Sequence, residues 1–152
     1  MKYKILYGDI FELDEKVDAI VNSANPFMSC GGGICGVIHK KAGYAFTEYC
    51  IKQGGLNMGE CKLTPGFELP YKNVIHVLSP IYGKIENPKG ELIKAYHNVC
   101  KLAEENKFTR IAFPLLSGAH HRYPYELALE YAKEAFETYE SDDLEAILVL
   151  KI

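Results

Sequence analysis

The 152-residue sequence contains no run of like charge and no basic block. A duplex nucleic acid or an anionic membrane surface therefore has no electrostatic footprint to grip, and any bound nucleotide is expected to be small. No apolar stretch approaches the length of a membrane span. There is no C-x-x-C pair, and no signal peptide precedes Gly8. Cys30, Cys35, Cys50, Cys61 and Cys100 make an odd count, so reduced thiols in a cytoplasmic protein are the simplest expectation. Internal repeats and low-complexity segments are also missing. What remains, 48% apolar and 24% charged residues with a net charge of −3, describes one ordinary globular domain over 1–152. A chain of that length can bury a core without metal or disulfide staples.

The chain is organised around residues 22–39, which read N-S-A-N-P-F-M-S-C-G-G-G-I-C-G-V-I-H. An apolar run (Ala19, Ile20, Val21) enters this stretch as a buried strand. A periodic segment (Val37, Ile38, Ala42, Ala45, Phe46, Tyr49) leaves it as a helix. Gly31, Gly32 and Gly33 sit at the join, where consecutive glycines permit close backbone approach and a helix start presents unpaired N–H groups. Such a join suits an anion, most simply phosphate, although a merely flexible link would also use glycine. Walker A is excluded, because no Gly-Lys-Ser/Thr follows. Gly31, Gly33 and Gly36 fit G-x-G-x-x-G, but the strand ends near Ala24 and no second strand ending in an acidic residue follows the helix. A nicotinamide or flavin site is therefore weakly supported.

In order, the pattern predicts strands at 3–7 and 17–24 and a helix from the glycine loop to Gln53-Gly54-Gly55, where paired glycines would cap it. Short strands at 62–69 and 73–79 follow, then a loop carrying Pro80, Gly83, Pro88 and Gly90, and a helix over about 91–105. A strand at 110–116, a second loop at 117–124, a helix at 125–139 and a strand at 146–152 complete the chain. Strands alternating with helices predict a three-layer α/β/α fold around a central mixed, mostly parallel sheet. Ligands of such sheets bind outside the carboxyl ends of the strands, where Gly8-Asp9-Ile10, the glycine loop and the 117–123 loop would meet.

These segments resemble the macro domain family, in order and over nearly the whole chain. Gly8-Asp9-Ile10 resembles its G-D-I, residues 17–25 its D-A-I-V-N-A-A-N, and Gly31 to His39 with Ala42-Gly43 its glycine loop and A-I-H-x-x-A-G helix start. Thr64-Pro65-Gly66 through Val74-Ile75-His76, then Pro80-Ile81-Tyr82, resembles its hairpin, and residues 111–114 its I-A-F-P strand. The resemblance implies binding of ADP-ribose, free or within a small molecule or protein. Asp9 would accept a hydrogen bond from the adenine amino group while the Ile10 N–H serves a ring nitrogen. Glycine-loop N–H groups would hold one phosphate and the loop from Ser117 the rest of the pyrophosphate, so that the ligand would contact Asn22, Ala24, Gly31, Gly32, Gly33, Ile34 and Gly36 on one side and Ser117, Gly118, Ala119, His120, His121 and Arg122 on the other. Asn25 would sit beside the distal ribose, and Asn25 and Cys35 occupy the family's catalytic positions. The chemistry implied is hydrolysis of an ester at that ribose, in mono-ADP-ribosyl protein or O-acetyl-ADP-ribose. The alternative is a binding module without chemistry. No cofactor is implied.

Simpler roles stand beside these. Asp9 fits an Asx turn, Asn22 a tie to loop backbone, and His39 and His76 satisfied packing histidines. The departures from the family pattern are equally specific. Cys35 occupies the place of the aspartate that helps activate water in hydrolase members, and a neutral thiol is a poor base. Cys30 replaces a glycine. In the second loop Ala119 and Arg122 replace two glycines and His121 an aromatic, so the loop is expected to take another path, with Arg122 able to pair with phosphate. A minority reading gathers Cys30, Cys35, His120 and His121 into a zinc site, or makes Cys35 a nucleophile with a depressed pKa at the helix start.

Overall fold

The computed structural model describes residues 1–119 and 121–151. Its elements are β1 (Lys2–Tyr7), β2 (Ala19–Ser23), α1 (Gly33–Ala42), α2 (Tyr44–Ile51), β3 (Cys61–Pro65), β4 (Asn73–Val77), α3 (Pro88–Glu105), β5 (Arg110–Phe113), α4 (Tyr125–Thr138) and β6 (Glu145–Leu150). One six-stranded sheet runs in the order β1-β6-β5-β2-β4-β3. The first five are mutually parallel, and β3 pairs antiparallel to β4. This is the mixed, mostly parallel sheet expected.

Period-2 alternation splits the central strands between two cores. Ala19 and Val21 of β2, with Ile75 and Val77 of β4, pack beneath α3 and α4. There Tyr96, Phe113 and Phe136 form a triangle of rings 5.2 to 5.4 Å apart. On the opposite face, Ile20 and Val74 pack with Ile38, Ala42 and Phe46 from α1 and α2. Helices thus cover both faces, and β2, buried in all but its last residue Ser23, lies between strands on both sides.

The predicted single helix after the glycine loop is two. Gly43 breaks it with φ 98° and ψ 173°, while its N–H still donates to the His39 carbonyl at 3.0 Å. That positive φ is what calls for glycine; the Glu68 carboxylate tip that lies where a Cβ would be is on an exposed, flexible side chain. Gly54 and Gly55 are not the helix cap. Both take positive φ in the connector beyond Lys52, whose path is held by Lys62 Nζ donating to the carbonyls of Gln53 (2.6 Å) and Gly55 (2.7 Å). Conversely, α3 starts earlier than its apolar periodicity suggests. Asn87 caps it by accepting from the Gly90 N–H at 3.1 Å, and Pro88 fills the first turn, where its missing N–H costs nothing. Strands end sooner than expected, β5 just before Pro114 and β3 at Pro65, because proline donates no ladder hydrogen bond.

Parallel pairing sends the carboxyl ends of β1, β6, β5, β2 and β4 to one edge of the sheet. The segments after β1, β2, β4 and β5 therefore share that edge.

Candidate functional site

The β2–α1 loop is built around Asn25. Its Oδ1 accepts from the Phe27 N–H (3.0 Å), the Ser29 N–H (3.3 Å) and the Ser29 hydroxyl (3.3 Å), while its Nδ2 donates to the Ser29 carbonyl (2.8 Å). Met28, fully buried at φ 56°, plugs the loop into the core. The tie to loop backbone expected of Asn22 is thus made by Asn25. Beyond it Gly31, Gly32 and Gly33 are exposed, Gly33 has φ 56°, and no side chain caps the start of α1. First-turn N–H groups at that start carry the partial positive charge of the helix end. Gly36 serves packing: a Cβ there would collide with the Gly31 carbonyl, so its absence lets the loop lie against α1.

Beneath the loop runs a buried polar seam. Asn22 and His76 are register partners on β2 and β4, and Asn22 Nδ2 lies 3.1 Å from His76 Nδ1 and 3.7 Å from Cys35 Sγ. Cys35 in turn donates to the Ser29 carbonyl at 3.4 Å, and His76 Nε2 meets Thr64 Oγ1 at 2.9 Å and Cys50 Sγ at 3.7 Å. The directions are consistent if Asn22 gives both amide protons and His76 carries its proton on Nε2. Asn22 therefore ties side chains together and not loop backbone. Burial holds the His76 pKa down to about 3, so the ring is neutral. It is the satisfied packing histidine expected. His39 is only half so: Nδ1 meets Thr47 Oγ1 at 2.8 Å, but its buried Nε2 has no hydrogen-bond partner among the described residues.

The depressed pKa expected of Cys35 as a nucleophile is not found. Burial dominates the hydrogen bonds and pushes its pKa up, so the group at the third position of α1 is a protonated thiol. Cys30 is exposed and Cys35 is buried. Among the described residues no three His, Cys, Asp or Glu side chains come together to hold a metal, and His120 lies outside them.

At the β1 end, Asp9 is exposed and Oδ1 accepts from the Phe11 N–H at 2.9 Å, an Asx turn. Ile10 is buried, and its carbonyl accepts from the Tyr71 hydroxyl. Ala24 is buried at the end of β2, while half-buried Ile34 sits in the first turn of α1. The second loop keeps a left-handed turn without glycine: Ser117 has φ 62° and Arg122 φ 65°, whereas Ala119 and Gly118 are not in that region. Arg122 is exposed, and its N–H donates to the Ala119 carbonyl at 3.1 Å. Hydrogen bonds clamp the loop to the segment after β4. Ser117 Oγ donates to the Pro80 carbonyl (2.6 Å), the Tyr82 N–H to the His121 carbonyl (2.8 Å), and Ser79 Oγ lies 3.2 Å from His121 Nδ1. Sequence reasoning missed Ser79, since nothing local marks a serine after a strand as a clamp. Thr64 and Cys50 were also missed in the seam, although the hairpin register could have suggested Thr64.

A family model described as Macro domain matches residues 21–132. An O-acetyl-ADP-ribose deacetylase of Salmonella typhimurium is 40% identical over 136 residues, covering 86% of this chain and 75% of that protein. An ADP-ribose glycohydrolase of Xenopus laevis is 42% identical over 133 residues, 86% of this chain but 31% of that larger protein. Among solved structures, an Oceanobacillus iheyensis macrodomain with ADP superposes with a TM-score of 0.90 at 30% identity, covering 99% of this chain and 83% of that one. A Trypanosoma brucei macrodomain in complex with ADP-ribose gives 0.79 at 30% identity, over 97% and 63%.

Two tests address the seam. A thiol-specific reagent should label Cys30 in the folded protein and reach Cys35, Cys50 and Cys100 only on unfolding; rapid labelling of Cys35 would contradict its burial. His76 also makes stability depend on pH. Its proton is bound in the unfolded chain below about pH 6.5 but in the folded chain only near 3, so stability is lost as pH falls through that window. Urea unfolding should show a loss of up to about 1.4 kcal/mol per pH unit from His76, with His39, lowered by burial, adding the same sign. A flat profile between pH 7 and 5 would mean a solvated ring.

Proposed function

The chain belongs to the macro domain family, and from that premise we propose that it binds ADP-ribose or a derivative across the carboxyl edge of its sheet. The observation that carries this reading is the exposed Gly31–Gly33 start of α1, uncapped by any side chain, on the same edge as exposed Asp9. β1 and β2 are separated by β6 and β5, three strand steps or about 14 Å. An elongated ligand would bridge them, with adenine at Asp9 and Ile10, pyrophosphate between the glycine loop and residues 117–122, and distal ribose at Asn25. Arg122 supplies a guanidinium in place of a family glycine, suited to paired contact with phosphate. His121 precedes it in the sequence. Relatives named for ADP-ribose chemistry support the ligand class. Five unpaired cysteines support a reducing, cytoplasmic setting.

Catalysis is the second reading, favoured by 40% identity to a deacetylase. The reaction would be hydrolysis of an ester at the distal ribose, with the loop N–H groups stabilising developing charge. Cys35 offers no base, and the Asn25 amide is already committed to Ser29, so turnover should be slow relative to binding. A protein carrying ADP-ribose is the partner this reading admits.

Calorimetric titration with ADP-ribose, with AMP and a guanosine analogue as controls, tests the first reading. Saturable binding should require the distal ribose and weaken about tenfold or more in Asp9→Ala, the loss of a charge-assisted hydrogen bond. Folded protein that binds none of them would sink the proposal. For the second, Cys35→Asp should raise O-acetyl-ADP-ribose hydrolysis by about a hundredfold, the usual return from a positioned base. Lost activity in that variant would instead make the thiol itself essential.

A further inference from the structure

Resting on the ADP-ribose reading above, we infer that Phe27 is a contact residue for the polypeptide to which the ADP-ribosyl group is attached. Phe27 is 73% exposed, yet nothing about its backbone is loose. Its N–H donates to Asn25 Oδ1, and the next residue is the buried plug Met28. The preceding residue, Pro26, has a ring-restricted φ and accepts from the Leu56 N–H at 2.8 Å. Gly55 packs so closely there that a Cβ would strike the Pro26 carbonyl and come within 3.8 Å of the Phe27 Cα. An aromatic ring is therefore held out to solvent on a backbone fixed from both sides. Little conformational freedom remains to be lost when something covers it.

The occupant follows from position. The same loop carries Asn25 and the glycines, so Phe27 borders the end of the cleft assigned to the distal ribose. The adenine end lies about 14 Å away at β1, by the three-strand spacing. An acetyl group on the ribose has two carbons, too few to cover a ring that stands outside the Asn25–Ser29 hydrogen bonds. A nucleic acid finds no basic surface on a chain of net charge −3. One ring is far short of the area a stable dimer of this chain would bury. A polypeptide fits: anchored by the ADP-ribosyl group it carries, it needs only a small contact of its own, and the exposed ring beside that end offers one. Phe27 thus favours a protein-linked substrate over the small acyl ester.

The test compares free ADP-ribose with a peptide bearing ADP-ribose through a hydrolysis-resistant amide, titrated into the full chain, Phe27→Ala and Phe27→Tyr. Wild type should bind the peptide more tightly than free ADP-ribose. Phe27→Ala should weaken the peptide about tenfold while leaving free ADP-ribose within twofold, and Phe27→Tyr should restore the difference. An unchanged peptide affinity in Phe27→Ala, an equal loss for both ligands, or no wild-type preference for the peptide would overturn the inference and leave the ADP-ribose site standing. Wild type that fails to bind free ADP-ribose would overturn both. Unchanged melting temperatures in the two variants separate contact from folding.

Discussion

β2 is the constraint on which the rest depends. It is hydrogen-bonded in parallel to β4 on one side and β5 on the other, and packed on both faces, so neither its register nor its direction can change without breaking both cores. Parallel neighbours require crossover connections, and these return each strand to the same end. Direction alone then puts the segments after β1, β2, β4 and β5 side by side. The fold therefore delivers a shared edge before any side chain has been chosen for binding.

What rides on that edge is set by the polar seam under α1. Asn22 and His76 interrupt an otherwise apolar face; the Asn22 amide nitrogen and both His76 ring nitrogens find partners there, while the buried Asn22 Oδ1 has none among the described residues. The seam draws on five elements, β2, β4, β3, α1 and α2, and through Cys35 it reaches the Ser29 carbonyl. A carboxylate at position 35 could accept from Asn22 but could not donate to Ser29. The thiol can do both, weakly. Here the chain has exchanged a potential base for a connection between helix and loop. That exchange favours a fixed, preorganised loop over proton transfer.

Much of this was legible in the sequence because its signals are local. The glycine run, the apolar strands and the helix stripes located all six strands and the helical segments, with α1 and α2 read as one, and the order of motifs pointed to the family. What the sequence hid was tertiary. Gly43 reads as a tolerable helix residue until its φ of 98° is seen. Pro88 and Gly90 read as loop although Asn87 makes them a first turn. Cys35 at a helix start suggests a lowered pKa, and only its burial reverses the sign. The roles of Asn22 and Asn25 could not be assigned because both lie near the carboxyl end of the same strand. Which one faces the seam and which one folds the loop depends on where the strand stops.

Strain completes the argument. Among the described residues five other than glycine take positive φ, and three of them, Met28, Ser117 and Arg122, lie in the two loops at the carboxyl edge. Each costs about 1 kcal/mol or more against an ordinary conformation. Such residues persist only where their surroundings over-determine them. Met28 is held by its burial, and Ser117 by its hydroxyl on Pro80. Arg122 is held between His121, which accepts from Tyr82, and buried Tyr123, whose N–H donates to Ser117. Nothing in the core requires an arginine there, since its own side chain is exposed. Packing has thus been arranged to keep two loops in one shape from outside. The cost falls at the edge where a ligand would need the backbone N–H groups already in position.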